Sequence, residues 1–280
     1  CVQCIERILD MRFYQPSSTS AYLSNEKPEV REKAIADIRS WWKENSRKTP
    51  LEGYLARLES ATRYDRFDVL EKIEKIDTKA VDSAALLKKW AAKDERATQP
   101  AYAAQLARRG DLSMLPAMRQ MLKDDLAQNR QVSYDCIWFL MYHGGVADYQ
   151  FLRAETRKSM AAGAKLGSMS VWGAVYGGMG STTNSLIVPI LVDLLPQREA
   201  SGSRWLSQEK GSVGFSCADR CMETLIQFTG HSESYDPAEA EEKRYAAVDR
   251  WIAWWDKEGR AEFVKKHPQV QGVLSGETGE

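Results

Sequence analysis

The sequence predicts an all-α fold, an α-solenoid of antiparallel helical hairpins. Apolar residues recur at helical spacing along most of the 280 residues. No segment alternates apolar and polar residues as a half-buried strand would. Two stretches of the chain also recur internally, which is typical of repeat architectures. We therefore expect helix over more than half of the residues and essentially no sheet.

The first internal repeat is a similarity between a segment near the N-terminus and one near the C-terminus. Residues 28–42 match residues 241–255 when their terminal Trp-Trp pairs are aligned. In both copies the apolar residues follow the i, i+4, i+7, i+8 spacing of an amphipathic helix. We expect the tryptophans to be core residues, with Trp41 and Trp254 largely buried. The alternative is an aromatic face that contacts a ligand.

The middle of the chain carries a second repeat. Residues 114–122 resemble residues 187–195, and a proline lies early in each segment, at Pro116 and Pro189. The missing N–H of proline costs little in the first turn of a helix. Another helix begins near Asp148, halfway between them, which indicates a two-helix period of about 36 residues.

The same spacing predicts further helices, and the one at 133–142 is apolar almost all round, so it should be an inner helix. The others are predicted at 2–12, 51–62, 66–75, 83–92, 100–109, 171–176 and 216–228.

Charge and composition exclude several classes of protein. The 39 basic and 39 acidic residues balance, and no basic block occurs, so a nucleic-acid partner is not expected. An odd number of cysteines argues against a disulfide scaffold. We expect buried thiols, because Cys217 and Cys221 have helical spacing and Cys1 and Cys4 form a single CxxC. The three histidines have no neighbour at metal-binding spacing, so neither a metal nor a cofactor is expected.

An uncharged stretch at 166–192 is interrupted by glycines and is too broken for a membrane span. Because the sequence begins with Cys1 and the helix at 2–12 has no partner before it, we expect a boundary within a longer protein. A lipid-bearing first cysteine is the alternative. A cytoplasmic and a periplasmic location both stay open.

Two segments resemble HEAT repeats. Residues 107–118 combine a small residue, the Gly110-Asp111 turn and a helix with an early proline. Residues 218–230, followed by Tyr235-Asp236-Pro237 and the Trp-Trp helix, are similar to the closing segment of bacterial HEAT-like proteins. The resemblance implies a right-handed solenoid of the HEAT/armadillo type.

On that resemblance the chain is divided into four parts. They are the end of a preceding HEAT-like unit with the Trp-Trp helix at 1–50, irregular helical hairpins at 51–96, HEAT-like repeats at 97–260 with an insertion at 196–215, and a flexible C-terminal tail at 261–280.

The insertion at 196–215 is the main candidate for a functional surface, because solenoid turns are usually shorter and long loops often carry function. The candidate partner contacts in and after it are Arg198, Arg204, Trp205, Gln208, His231 and Tyr235. No catalytic set is recognised: the glycine-rich segment at 178–183 lacks a Walker lysine, and no GxSxG motif occurs.

Three hypotheses on function follow. The first is an interaction scaffold that binds a protein or peptide on a solenoid surface. The second is a structural module of a longer secreted or envelope protein. The third is an enzyme with an unrecognised pocket near 196–215.

Overall fold

The computed structural model describes residues 27–128, 130–163, 171–198, 200–207 and 211–275. The predicted helix at 2–12, Cys1, Cys4 and Gln208 lie outside these ranges. The chain divides into two compact units, Cys1–Ser83 and Ala84–Glu280. The domain boundaries predicted after residues 50 and 96 stay predictions.

The first unit, in its described part, contains the helices α1 (Pro28–Asn45), α2 (Pro50–Ser60) and α3 (Arg63–Ile76). A capping box starts α2: Glu52 N–H donates to the Thr49 hydroxyl at 3.3 Å, and Thr49 N–H donates to Glu52 at 2.7 Å. Helices α2 and α3 pack against each other.

The rest of the described chain is helical except for one hairpin. Its elements are α4 (Ser83–Ala91), α5 (Gln99–Ala107), α6 (Leu115–Ala127), α7 (Tyr134–His143), α8 (Val146–Ala161), α9 (Val171–Gly178), α10 (Val188–Leu194), β1 (Ala200–Ser207), β2 (Gly211–Ser216), α11 (Cys217–Thr229), α12 (Glu241–Trp254), α13 (Arg260–Lys266) and α14 (Val270–Ser275). A π-helical turn, Trp255–Gly259, joins α12 to α13.

Local signals in the sequence explain most helix ends. Prolines occupy the first turn of α5, α6 and α10, which confirms the prediction that Pro116 and Pro189 lie early in their helices. Ser133 and Ser216 cap α7 and α11 with their side chains. Gly230 ends α11 with a positive φ of 72°, a conformation that favours glycine.

The core of the second unit is centred on α7. This helix contacts α5, α6, α8 and α9. Its buried side chains are Cys136, Ile137, Phe139, Leu140 and Met141. The prediction of an inner helix at 133–142 is therefore confirmed.

The C-terminal helices pack into the same core. Val270, Val273 and Leu274 of α14 are buried, and α14 contacts α8 and α10. Gln150 of α8 donates to the Gly272 carbonyl at 2.7 Å, and Arg153 donates to the Val273 carbonyl at 3.0 Å. The prediction of a flexible tail is wrong for residues 261–275, because an apolar face too short to stand out in the sequence is covered by α8.

The insertion at 196–215 folds as an antiparallel hairpin. Strands β1 and β2 pair from Ala200 opposite Ser216 to Ser207 opposite Gly211. The all-α prediction is confirmed in its coarse form for the described residues, which are predominantly helical. The expectation of essentially no sheet is wrong at this hairpin, the one sheet among the described residues. The sequence did not reveal it because serine and glycine leave no apolar alternation, and backbone hydrogen bonds hold the pair.

The two tryptophan stripes differ in burial. Trp251 and Trp255 are 0% and 2% exposed, and their rings stack with centroids 5.6 Å apart. Trp254 and Trp41 are only half-buried, and Trp42 is 57% exposed. The predicted burial of Trp254 holds only in part, because it packs, partly buried, against the core beside Trp251 and Trp255. Trp41 is likewise only half-buried, on a helix whose adjacent Trp42 is exposed.

The two repeated Trp-Trp pairs provide a matched test of this burial. Trp255→Ala should lower the free energy of unfolding by about 3–5 kcal/mol, because it leaves a cavity in the core. Trp42→Ala, at the equivalent position of the N-terminal copy, should change it by less than about 0.5 kcal/mol. Urea denaturation of both variants measures the difference, and equal losses would contradict the burial described here.

Candidate functional site

The candidate residues on the hairpin are placed by its strand pairing. Arg204 and Trp205 lie in β1, where the backbone pairs Arg204 with Val213 and Trp205 with Ser212. Arg198 precedes β1 and forms an ion pair with Asp249 of α12. These residues therefore belong to a hairpin that is attached to α12.

Arg198 has further contacts with α12. Its guanidinium lies 4.8 Å from the centroid of the Tyr245 ring. The Tyr245 hydroxyl donates to the Arg198 carbonyl at 3.1 Å. Arg198 thus holds the start of the hairpin segment in place through its side chain and its backbone.

His231 lies in the loop after α11 and stacks on a tryptophan. Its ring and that of Trp254 are nearly parallel, with centroids 3.7 Å apart. Its Nε2 lies 2.7 Å from a Glu233 carboxylate oxygen, and Trp251 Nε1–H donates to its carbonyl at 2.9 Å. These contacts fix the loop against α12.

Tyr235 belongs to a buried network around Asp219. Its hydroxyl donates to Asp219 Oδ1 at 2.9 Å. Burial, followed by the charge of Asp219, raises the pKa of Tyr235. The phenol therefore stays protonated and bonded within the protein, and it is not available as a surface contact.

Asp219 is the centre of that network. Arg244 Nε–H donates to Asp219 Oδ1 at 2.8 Å, and the Ser216 N–H donates to Oδ2 at 2.8 Å. Burial raises the pKa of Asp219, but the bonds from Arg244, Ser216 and Tyr235 outweigh it and hold the pKa below its usual value. Arg244 also donates to the Gly214 carbonyl at 2.8 Å, so the same arginine holds the hairpin.

A polar pocket of about 310 Å³ lies beside this network. It is lined by Ser234, Asp236, Glu239, Lys243, Arg244, Ala246 and Arg250. Lys243 pairs with Glu239 at 2.9 Å, and Arg250 donates to the Glu233 carbonyl at 2.9 Å. The charged groups are largely satisfied by one another. A general acid needs a raised pKa at neutral pH, whereas the pKa of Asp219 next to the pocket is lowered.

A second cavity, about 300 Å³ in volume, is an apolar groove between α5 and α7. We call it the α5–α7 groove. It is lined by Pro100, Ala101, Ala104, Asp135, Trp138, Phe139, Tyr142 and His143. The residues from α7 follow the i, i+3, i+4, i+7, i+8 spacing of a single helix face.

Small residues on α5 keep this groove open. Ala101 and Ala104 are exposed and lack the bulk to cover the aromatic side chains opposite them. Consequently Tyr142 is 43% exposed and Trp138 is half-buried, while Phe139 is buried at the base. Contiguous apolar surface of this kind, bordered by polar residues, is typical of an interaction site.

The Trp138 indole, which lines the groove, packs against glycines of α9. A Cβ placed on Gly178 would lie 2.6 Å from Trp138 Cδ1, a distance at which one of the two must move. A Cβ on Gly177 would lie 3.5 Å from the ring, in ordinary contact. Gly178 therefore permits the indole to lie directly on the backbone of α9.

The two polar residues of the groove differ in their surroundings. Burial lowers the pKa of His143, whose ring packs on Phe139 with centroids 4.8 Å apart, so this imidazole is neutral at neutral pH. Asp135 is exposed in the first turn of α7. No ion pair to Asp135 occurs within the described residues.

Sequence reasoning did not identify the α5–α7 groove. The composition of 133–142 predicts an inner helix, and α7 is buried around most of its circumference. The signal for the groove was an aromatic face on that helix together with alanines on a neighbouring helix, and only the tertiary contact shows that they face each other.

The chain matches no protein-family model, no curated protein and no solved structure. No cluster of His, Cys, Asp and Glu suited to a metal ion occurs in the described ranges. Cys136, Cys217 and Cys221 are buried free thiols, as the sequence predicted for the latter two. Among the described helices none is long and apolar enough to cross a membrane.

The Asp219–Arg244 pair can be tested by stability measurements. Arg244→Met should cost about 3–5 kcal/mol, because it leaves a buried carboxylate without its partner. Replacing Asp219 with asparagine in the same variant should recover part of the loss. Lys243→Met, which removes the exposed neighbouring cation, should have little effect. A loss with Arg244→Met no larger than with Lys243→Met would contradict the network.

The direction in which stability changes with pH follows from the lowered pKa of Asp219. The folded-state pKa of Asp219 lies below its unfolded value, so its contribution is complete above the unfolded pKa of about 3.9 and is lost as the pH falls below it. Wild-type protein should lose this contribution as the pH falls below about 4, and Arg244→Met should lose less over the same range. Urea denaturation across this range measures both.

Proposed function

We propose that this chain is an interaction module that binds a segment of a partner protein in the α5–α7 groove. The observation that carries the proposal is the aromatic face of α7 that lines the groove, where Tyr142 is exposed, Trp138 is half-buried and Phe139 is buried. Tryptophan and tyrosine are the residues most often responsible for binding energy at protein interfaces.

The size and lining of the groove suit a peptide anchor. A volume of about 300 Å³ is at the low end for ligand pockets, which are mostly apolar with a few placed polar groups. The groove runs along one face of α7 beside the small residues of α5. Such a channel between helices accepts one or two apolar side chains of a docked segment.

We further propose that residues 97–260 form a HEAT-like array, which would be right-handed as the resemblance implies. In support, helices pack on their sequence neighbours and on the next but one: α5 on α6 and α7, α7 on α8 and α9, and α8 on α9 and α10. Stacked helix pairs of this kind create extended binding surfaces. The packing of α14 on α8 departs from a strictly linear stack.

Recurrent ion pairs support the same proposal. Arg96 pairs with Asp125 of α6, Arg119 of α6 with Asp148 of α8, and Arg153 of α8 with Asp193 of α10. Each pair links a helical segment to a later one, and the aspartates are largely buried. Their repetition along the chain is expected if one hairpin after another is docked in the same manner.

The proposal is tested by selecting peptides on the wild-type protein from a random 12-residue display library. Affinities of the selected peptides are then measured by fluorescence anisotropy. Tyr142→Ala should weaken binding by about 30-fold, equivalent to about 2 kcal/mol at an interface hot spot. Ala104→Leu should weaken it as well, because the larger side chain fills the groove.

Trp42→Ala is the control, since it removes an aromatic side chain that is 57% exposed outside the groove. It should leave the affinity unchanged. All three positions are exposed, so the variants should unfold at denaturant concentrations close to that of the wild type. If the selected peptides bound Tyr142→Ala and Ala104→Leu as tightly as wild type, the α5–α7 groove would not be the docking site.

A further inference from the structure

We infer that the α5–α7 groove selects a peptide that carries a basic side chain, lysine or arginine, beside an apolar anchor, with the Asp135 carboxylate as the partner of the cation. The inference rests on the proposed function and names the chemistry of its ligand. Three features of the groove lead to it: a carboxylate with no ion-pair partner among the described residues, aromatic faces, and described lining residues that carry no lysine or arginine.

Among the residues that the structure describes, no cation is paired with the Asp135 carboxylate. It is exposed at one end of the groove. The charges of Arg96 and Asp135 both influence the pKa of Cys136, so Arg96 is a cation in the same region as Asp135. However, that guanidinium is occupied by Asp125 at 2.6 Å and by the Met121 carbonyl at 2.8 Å. A cation on the partner would therefore complete the charge balance at this end.

The aromatic residues of the groove favour a cation in the same place. The faces of tryptophan, tyrosine and phenylalanine rings attract lysine and arginine, most strongly where water is partly excluded. Trp138 lies one helical turn from Asp135, so the methylene chain of a basic residue could cross the indole before its charge reaches the carboxylate. Long basic side chains bury their apolar stems in this manner.

The remaining lining adds no opposing charge. Within the described part of the chain, the residues that line the groove include neither lysine nor arginine. His143, at the far end, is neutral at neutral pH because burial lowers its pKa. The groove therefore presents one negative group and several ring faces, a combination that repels acidic peptides and attracts basic ones.

The spacing of residues along α7 gives the expected separation, along the peptide, of the two ligand side chains. Asp135 and Tyr142 are two turns apart, about 10 Å along the helix axis. An extended peptide covers that distance in about three residues. We therefore expect the basic residue about three positions from an aromatic or aliphatic anchor that packs on Tyr142.

The test is a set of parallel peptide selections on wild type, Asp135→Asn and Asp135→Lys, read by sequencing. Wild type should enrich lysine or arginine next to an apolar anchor. Asp135→Asn should keep the anchor and lose the basic preference, and Asp135→Lys should replace it with aspartate or glutamate. A wild-type peptide with its basic residue changed to glutamate should bind Asp135→Lys at least tenfold more tightly than it binds wild type.

Two matched variants control for changes in the helix itself. Glu241→Gln removes a first-turn carboxylate from α12, outside the groove, and should leave the selected sequences unchanged. Asp135→Glu keeps the charge and should keep the basic preference. Circular dichroism melting confirms that each variant is folded before selection.

The outcomes separate this inference from the proposed function. If no selected peptide depends on Tyr142, the proposed function fails. If peptides depend on Tyr142 but show no basic preference, or a preference that Asp135→Asn does not alter, only the present inference fails. A concentration-dependent dimer in sedimentation velocity that Tyr142→Ala dissociates would also overturn it, because the groove would then be filled by a second copy of the chain.

Discussion

The packing of α7 is the constraint on which the second unit depends. This helix is apolar around most of its surface, so it must be covered on nearly every side. Helices α5, α6, α8 and α9 provide that cover. The cover is incomplete where α5 presents alanines to the aromatic face, because small side chains cannot reach across the gap. The α5–α7 groove is thus a by-product of the same close packing that holds the core together.

The C-terminal part is organised by a different interaction, the buried pair of Asp219 and Arg244. The pair joins the start of α11, the hairpin and α12 through one carboxylate and one guanidinium. Tyr235 is bonded to it, and His231 and Arg198 tie neighbouring segments to α12. These three residues, which the sequence suggested as partner contacts, therefore have structural contacts that account for their positions.

The sequence was informative where local rules decide the structure. Helical spacing and first-turn prolines located most helices within a few residues, and the inner helix at 133–142 was recognised by its composition. Tertiary contacts decided the rest. The serine- and glycine-rich hairpin has no apolar alternation that would predict strands. The apolar face of α14 is short, and only its contact with α8 shows that it belongs to the core. The groove could not be predicted because Ala104 and Trp138, on different helices, border the same cavity only through a tertiary contact that no local pattern encodes.

The central claim is that the groove is a fixed consequence of core packing, with Trp138 held against α9. The most direct measurement is the Trp138 indole N–H resonance in Gly178→Ala and Gly177→Ala, recorded together with the affinity for peptides selected on wild type. A methyl group at 178 would meet the indole at 2.6 Å, whereas one at 177 would lie 3.5 Å away. Gly178→Ala should therefore shift the resonance and weaken binding, and Gly177→Ala should do neither. An unmoved resonance and unchanged affinity in Gly178→Ala would contradict the account.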